Sequence, residues 1–270
     1  MRQVSDMYKR HLQSRLSRVS RFAMAVGLLS AVLAGGCLPE EAQQRPRLVL
    51  FLGIDVSGSF QNTGNYNDAL RFAAHYIYGH MQALGELEKP SVLYVGSIGG
   101  ERPGEAKSFH PIHDFQGKSV DEIEVDLRKW FQPDDAFTDF NVFFERVADF
   151  VKRQNLTLKP IAIVVISDGV PDVTTRAAAQ GGERYKRINL EPLEYLSRNV
   201  TVRLLYANPE VAVNWEQDVP RNRVRMWTVD DEVMVGWRRQ INLGDPVDEQ
   251  ERLWTWIKEN VDFRVRRSIL

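Results

Sequence analysis

Two short segments carry the residue types that could do chemistry, and each follows an uncharged run. The first is "VLFLGIDVSGSF", residues 49–60, where Asp55, Ser57 and Ser59 stand at alternate positions. The second is "IAIVVISDGVPD", residues 161–172, where Ser167 and Asp168 follow six apolar residues. Carboxylate and hydroxyl oxygens, without thiols or paired histidines, suit a hard divalent ion such as Mg²⁺, Mn²⁺ or Ca²⁺ rather than zinc.

The two apolar runs predict the elements that position these side chains. A strand that is apolar on both faces is typical of the centre of a parallel sheet with helices on each side. Further strand patterns lie at residues 91–98, 200–206 and 224–229, and helical stripes lie at residues 66–84, 120–130, 140–151 and 253–261. This alternation predicts an α/β fold: a doubly wound, mostly parallel open sheet of the Rossmann-like kind, with helices on both faces.

The predicted sheet brings the polar segments together at one edge. In open α/β sheets, ligands bind beyond the carboxyl ends of the strands. If the strands at residues 48–54 and 161–166 are neighbours, the hydroxyl and carboxyl groups that follow them converge there. The sequence therefore predicts a divalent metal site at this edge.

The order of these residues resembles the von Willebrand factor type A (VWA) domain. The metal-ion-dependent adhesion site (MIDAS) of that family contains Asp-x-Ser-x-Ser, a threonine in a middle loop, and Asp-Gly after the fourth strand. The first motif is complete here, and Asp168 is followed by Gly169. The resemblance assigns the threonine to Thr138, which opens the helix before the fourth strand; Ala136 and Phe137 stand where the family often has glycines.

The resemblance implies a binding role rather than an enzymatic one. It implies Mg²⁺, or Mn²⁺ or Ca²⁺, and a protein partner whose aspartate or glutamate completes the coordination of the metal. The metal ligands that it implies are Asp55, Ser57, Ser59, Thr138 and Asp168. Two other functions stay open: a metal-dependent phosphohydrolase that uses Asp55 as nucleophile, and a structural lipoprotein with a degenerate metal site.

The first 36 residues have the layout of a secretory signal. A basic stretch precedes the apolar run "FAMAVGLLSAVLAGG", and Cys37, the only cysteine in the sequence, follows at once. The segment "LAGGC" resembles a bacterial lipobox, in which the cysteine becomes lipid-modified. We therefore expect a lipid-anchored protein of the bacterial cell envelope. Leu38 follows the cysteine, which favours the outer membrane, facing the periplasm, over the inner membrane.

Length and composition fit one soluble domain behind this leader. The 270 residues are 43% hydrophobic and 26% charged. We predict a signal peptide at residues 1–36, a tether at 37–46, a VWA-like domain at 47–262 and a C-terminal tail at 263–270. Because the leader holds six of the 35 Lys and Arg residues, the remainder is acidic, which argues against general nucleic-acid binding.

Two other groups of residues are weaker candidates for a site. His75 and His80, like His110 and His113, lack both the i, i+4 spacing and the nearby cluster of carboxylates of a zinc enzyme. The segment at residues 237–239, "WRR", could form a binding surface that needs no metal.

Overall fold

The computed structural model describes residues 46–99, 109–133, 138–172 and 181–263. Strands and helices alternate along this part of the chain. The strands are β1 (Leu48–Asp55), β2 (Pro90–Ile98), β3 (His110–Pro111), β4 (Ile161–Ile166), β5 (Val200–Ala207) and β6 (Arg225–Asp230). The helices are α1 (Gly58–Asn62), α2 (Tyr66–Gln82), α3 (Val120–Trp130), α4 (Phe140–Arg153), α5 (Glu191–Glu194), α6 (Pro209–Asp218), α7 (Asp231–Met234) and α8 (Glu251–Asn260).

The strands form one sheet in the order β3-β2-β1-β4-β5-β6. All neighbouring pairs are parallel except β2 and β3, which are antiparallel. The register of β1 with β4 runs from Val49 opposite Ile161 to Ile54 opposite Ile166. The two long apolar strands are therefore neighbours, which is the condition that the predicted site required, and their carboxyl ends lie side by side.

Helices cover both faces of the sheet, which explains why β1 and β4 are buried along their whole length. Successive side chains of a strand point to opposite faces. Leu50 and Leu52 pack with the residues of α2, α3 and α8, whereas Val49 and Phe51 pack with those of α4, α5 and α6. The fold-class prediction is confirmed: the domain is a doubly wound, mostly parallel α/β sheet.

Five elements were not predicted from the sequence: the short helices α1, α5 and α7, the strand β3 and the helix α6. The edge strand β3 is only two residues long, so it has no readable alternation of apolar and polar residues. Helix α6 buries only Val211, Ala212 and Trp215 among its ten residues, which makes a weak apolar stripe. Its start is nevertheless well formed, because the side chain of Asn208 accepts a hydrogen bond from the backbone of Val211 at 2.9 Å.

Several predictions fall on residues outside the described ranges. The signal peptide, Cys37 and the tether up to residue 45 lie there, as do residues 264–270 of the predicted tail. Within the described ranges, none of the helices combines the length and the apolar composition needed to cross a membrane.

Candidate metal centre

The first loop of the site begins where β1 ends, at Asp55. This carboxylate is fully buried and accepts a hydrogen bond from the backbone N–H of Ser57 at 2.9 Å. Ser57 then caps α1 by accepting the backbone N–H of Phe60 at 3.4 Å. Phe60 anchors the loop in the core, since its buried ring contacts those of Tyr66 and Tyr206. The chain therefore leaves the strand in a tight turn that holds Asp55 beside the two serines.

The serine hydroxyls link the two carboxylates of the site. The oxygens of Ser57 and Ser59 lie 3.1 Å apart. Ser59 also forms a side-chain hydrogen bond with Asp168, the first residue of the predicted Asp-Gly pair. Ser57 is buried, whereas Ser59 is exposed to solvent. The site therefore opens to solvent on the side of Ser59.

The second loop follows β4 and contacts the first directly. The hydroxyl of Ser167 donates to a carboxylate oxygen of Asp55 at 2.5 Å and accepts the backbone N–H of Gly169 at 2.9 Å. Gly169 has φ +75°, and a Cβ at this position would lie 2.7 Å from Leu204 and 2.9 Å from Val211. Only glycine fits both this conformation and this packing. The turn after β4 therefore requires glycine at this position.

The third loop brings Thr138 to the same edge. Its hydroxyl lies 3.5 Å from a carboxylate oxygen of Asp55, and the residue is almost fully buried. The next residue, Asp139, caps α4 by accepting the backbone N–H groups of Asn141 and Val142. Thr138 thus lies two residues before the first residue of α4, close to the predicted position. Residues 136 and 137, where the family often has glycines, lie outside the described ranges.

Burial makes the negative charge of this site costly. It raises the pKa of the Asp55 carboxyl from 3.8 to about 6, although hydrogen bonds from Ser167 and Ser57 oppose the shift. Burial also raises the pKa of Asp168. Among the described residues, neither carboxylate forms an ion pair with a lysine, arginine or histidine. The site therefore holds two buried acids whose described partners are all neutral.

The donor set suits a hard divalent cation. It consists of two carboxylates and the hydroxyls of serine and threonine, and such oxygen ligands favour Mg²⁺, Mn²⁺ or Ca²⁺. In the described ranges, no group of three or more His, Cys, Asp or Glu side chains is placed to hold a metal ion. A metal centre at this edge must therefore use the hydroxyls together with the two aspartates. Because all of these ligands are oxygen atoms, the residues present fit a hard divalent cation.

All five residues predicted as metal ligands meet at one edge of the sheet. They are Asp55, Ser57, Ser59, Thr138 and Asp168. Their binding of a metal stays a prediction. Two further residues belong to the same network. Ser167, expected only to lie nearby, contacts Asp55 directly, and Asp172 binds the backbone of Thr138.

The segment at residues 237–239 does not offer an aromatic binding surface. Trp237 is fully buried, and its indole N–H donates to Asp68 at 2.9 Å. Arg238 forms an ion pair with the same carboxylate. These contacts tie the C-terminal part of the domain to α2, so the tryptophan has a structural role.

Comparisons with known proteins give similarity of fold. No family model matches the chain, and no curated protein matches its sequence. Among solved structures, manganese-loaded TRAP protein of Plasmodium vivax aligns with a TM-score of 0.43 and 14% identity, over 71% of each chain. The SpRpn10 VWA domain aligns with a TM-score of 0.42 and 11% identity, over 74% of this chain and 95% of that chain.

A third structure is the proximal thread matrix protein 1 of the mussel byssus with a zinc-occupied MIDAS motif. It aligns with a TM-score of 0.40 and 12% identity, over 72% of this chain and 46% of that chain, so this chain spans under half the length of the mussel protein. All three alignments have TM-scores under 0.5, and each gives only a structure to which the chain is similar. The chemistry of the candidate site rests on its own geometry.

Proposed function

We propose that this domain binds a divalent cation and uses it to capture an acidic side chain of a protein partner. The observation that carries the proposal is the meeting of two buried carboxylates and three hydroxyls at one edge of the sheet. We propose Mg²⁺ as the cation, with Mn²⁺ and Ca²⁺ as the alternatives that the same donors accept.

Each residue of the site would contribute in a different way. Asp55 and Asp168 supply two negative charges, which balance a divalent cation without exceeding its charge. Ser57, Ser59 and Thr138 supply neutral oxygens, which add ligands but no charge. The bound cation would supply an electrophilic centre for a carboxylate oxygen. The exposed side of the site, at Ser59, is where a partner could reach it.

The geometry favours binding over phosphoryl transfer. A nucleophilic aspartate must reach the phosphorus atom of its substrate, but Asp55 is fully buried. Both of its oxygens also accept hydrogen bonds, one from the backbone of Ser57 and the other from the hydroxyl of Ser167. We therefore place Asp55 among the groups that hold the metal.

A capture experiment with a chelator tests this function. Partners would be crosslinked to the full chain in native envelopes, with Mg²⁺ or with chelator, for wild type and for alanine variants of the five residues. Asp149→Ala is the control, because Asp149 is an exposed carboxylate of α4 outside the site network. We expect chelator and each site variant to lower capture and the control to retain it. Capture that survives chelator and every substitution would contradict the function.

We also propose that the protein is lipid-anchored in the bacterial envelope, in the outer membrane facing the periplasm. The support is the sequence pattern at residues 1–37, with its basic stretch, apolar run and cysteine. In a bacterial host, wild type should partition with membranes, and Cys37→Ser should be released or mis-processed. A wild-type protein that is soluble and unacylated would refute the anchor.

A further inference from the structure

Asp172 forms a two-bond link to Thr138, 34 residues earlier in the chain. One carboxylate oxygen of Asp172 accepts the backbone N–H of Thr138 at 2.6 Å. The backbone N–H of Asp172 in turn donates to the carbonyl of Thr138 at 3.3 Å. Both backbone polar groups of Thr138 are therefore bound to a single residue of the loop that follows β4.

This link matters because Thr138 lies outside the regular elements. The helix cap at Asp139 binds the N–H groups of Asn141 and Val142, so it does not hold Thr138. The direction of the Thr138 hydroxyl, 3.5 Å from Asp55, thus depends on what fixes its backbone. In the described part of the chain, Asp172 is the residue that does so.

We propose that Asp172 is a positioning residue of the metal site, which holds the Thr138 hydroxyl toward Asp55. The proposal rests on the proposed function. Because Asp172 lies only four residues after Asp168, the same link joins the loop of Thr138 to the loop of Asp168. The two loops form one unit before any ligand arrives, and this preorganisation lowers the cost of binding.

A second reading of Asp172 makes a different prediction. Its charge is close enough to act on Asp168, whose pKa is raised first by burial and also by Asp172. Asp172 could then favour a cation through its charge alone. The positioning role needs an acceptor oxygen, which asparagine also has, whereas the charge role needs the carboxylate. Asp172→Asn therefore separates the two readings.

The first experiment measures the affinity of the full chain for Mn²⁺. We expect Asp172→Ala to bind about tenfold more weakly than wild type, the effect of losing about one ordinary hydrogen bond. Asp172→Asn should stay within about twofold, which is small on the same scale. Asp149→Ala, which removes one exposed charge from α4, should match wild type. An Asp172→Asn variant as weak as Asp172→Ala, or an unaffected Asp172→Ala, would overturn the proposal.

The second experiment asks whether Asp172 acts through Thr138. Thr138→Val removes the hydroxyl but keeps the backbone N–H and the side-chain shape. If Asp172 positions that hydroxyl, the double variant Thr138→Val/Asp172→Ala should bind Mn²⁺ no more weakly than Thr138→Val alone. Losses that multiply in the double variant would show that Asp172 acts independently of Thr138, against the proposal.

The third experiment needs no metal and separates this proposal from the proposed function. In metal-free protein, the amide of Thr138 should exchange slowly with solvent in wild type and Asp172→Asn, and at least about tenfold faster in Asp172→Ala. Fast exchange of the Thr138 amide in wild type would show that its hydrogen bond to Asp172 does not form, against the proposal. If wild type binds no Mn²⁺ but its Thr138 amide is protected only while residue 172 offers an acceptor, the metal function fails and the positioning of Thr138 stands.

Discussion

Two buried acidic groups of this domain have different kinds of partner. At the end of α8, Asp262 lies 3.5 Å from a guanidinium nitrogen of Arg203 and 3.5 Å from the ammonium of Lys258. The hydroxyl of Tyr76 donates to it at 3.1 Å. At the sheet edge, Asp55 is bound by a backbone N–H and by neutral hydroxyls. Among the described residues, lysine and arginine side chains balance the first group, and none forms an ion pair with the second.

The difference distinguishes a structural acid from a binding acid. Asp262 joins the end of α8 to β5 and α2, and its charge is balanced within the fold. Asp55 is held as firmly, yet its charge has no basic partner among the described residues. A carboxylate that is fixed by neutral donors remains free to accept a cation from solvent. Burial alone would not separate these two roles.

The largest effect is expected from removing the structural acid. Asp262→Ala leaves Arg203 buried without its counter-charge, and breaking a buried ion pair in this way costs about 3–5 kcal/mol. Urea unfolding measures the loss, with the exposed Asp149→Ala as control. The double variant Arg203→Met/Asp262→Ala should recover part of it. A loss no larger than that of the control would show that Asp262 is not structural.

Substitution of the binding acid should have the opposite sign. Because the pKa of Asp55 rises to about 6 on folding, ionised Asp55 destabilises the metal-free protein. The stabilising effect of its tightly held proton is present below pH 3.8 and is lost as pH rises through about 6. Relative to Asp55→Asn, the free energy of unfolding of wild type should fall by about 3 kcal/mol between pH 3.8 and about 6, at 1.36 kcal/mol per pKa unit. Equal pH profiles of unfolding for the two proteins would contradict this account.

A smaller loss is expected from the neutral donors of Asp55. Ser167→Ala removes a buried hydroxyl that donates to the carboxylate, and hydrogen bonds to charged groups are worth about 1.5–3 kcal/mol. Thermal or urea unfolding at pH 7 should show this loss, and the loss should shrink as pH falls through about 6, where Asp55 in the folded protein becomes neutral. A loss that is independent of pH would indicate a packing role for Ser167 instead.

The last effect belongs to the structural group and appears only in acid. His80 is fully buried, and its second ring nitrogen lies 3.9 Å from Asp262. Burial lowers the pKa of His80, so its contribution is present above pH 6.5 and is lost as pH falls through the lowered value. In urea unfolding at a series of pH values, the free energy of unfolding of His80→Asn should fall less in acid than that of wild type. If both proteins lose the same free energy of unfolding in acid, a group other than His80 causes the loss.

The sequence predicts the centre of the fold better than its edges. The bounds of β4 match the predicted residues because a strand buried on both faces is a continuous apolar run. The strand β3 escapes prediction because two residues carry no periodicity. The helix α6 shows Asn208 and Pro209 as start signals, but its apolar stripe is short.

The candidate site also has a part that the sequence predicts and a part that it does not. Asp55, Ser57, Ser59 and Asp168 follow strands that the apolar pattern predicts, whereas Thr138 was placed by resemblance to the family. The link between Asp172 and Thr138 could not be predicted, because it depends on the paths of two irregular loops that are far apart in sequence. The acidic residue after "SDGVP" was the only signal available.

Calorimetric titration of Mg²⁺ into the full chain tests the central claim most directly. Wild type and the control Asp149→Asn should each bind one Mg²⁺, whereas Asp55→Asn and Asp168→Asn should bind none. At a hundred times its dissociation constant, the ion should also stabilise wild type by about 2.7 kcal/mol. The account is contradicted if wild type binds no Mg²⁺, or if Asp55→Asn binds it as tightly as wild type.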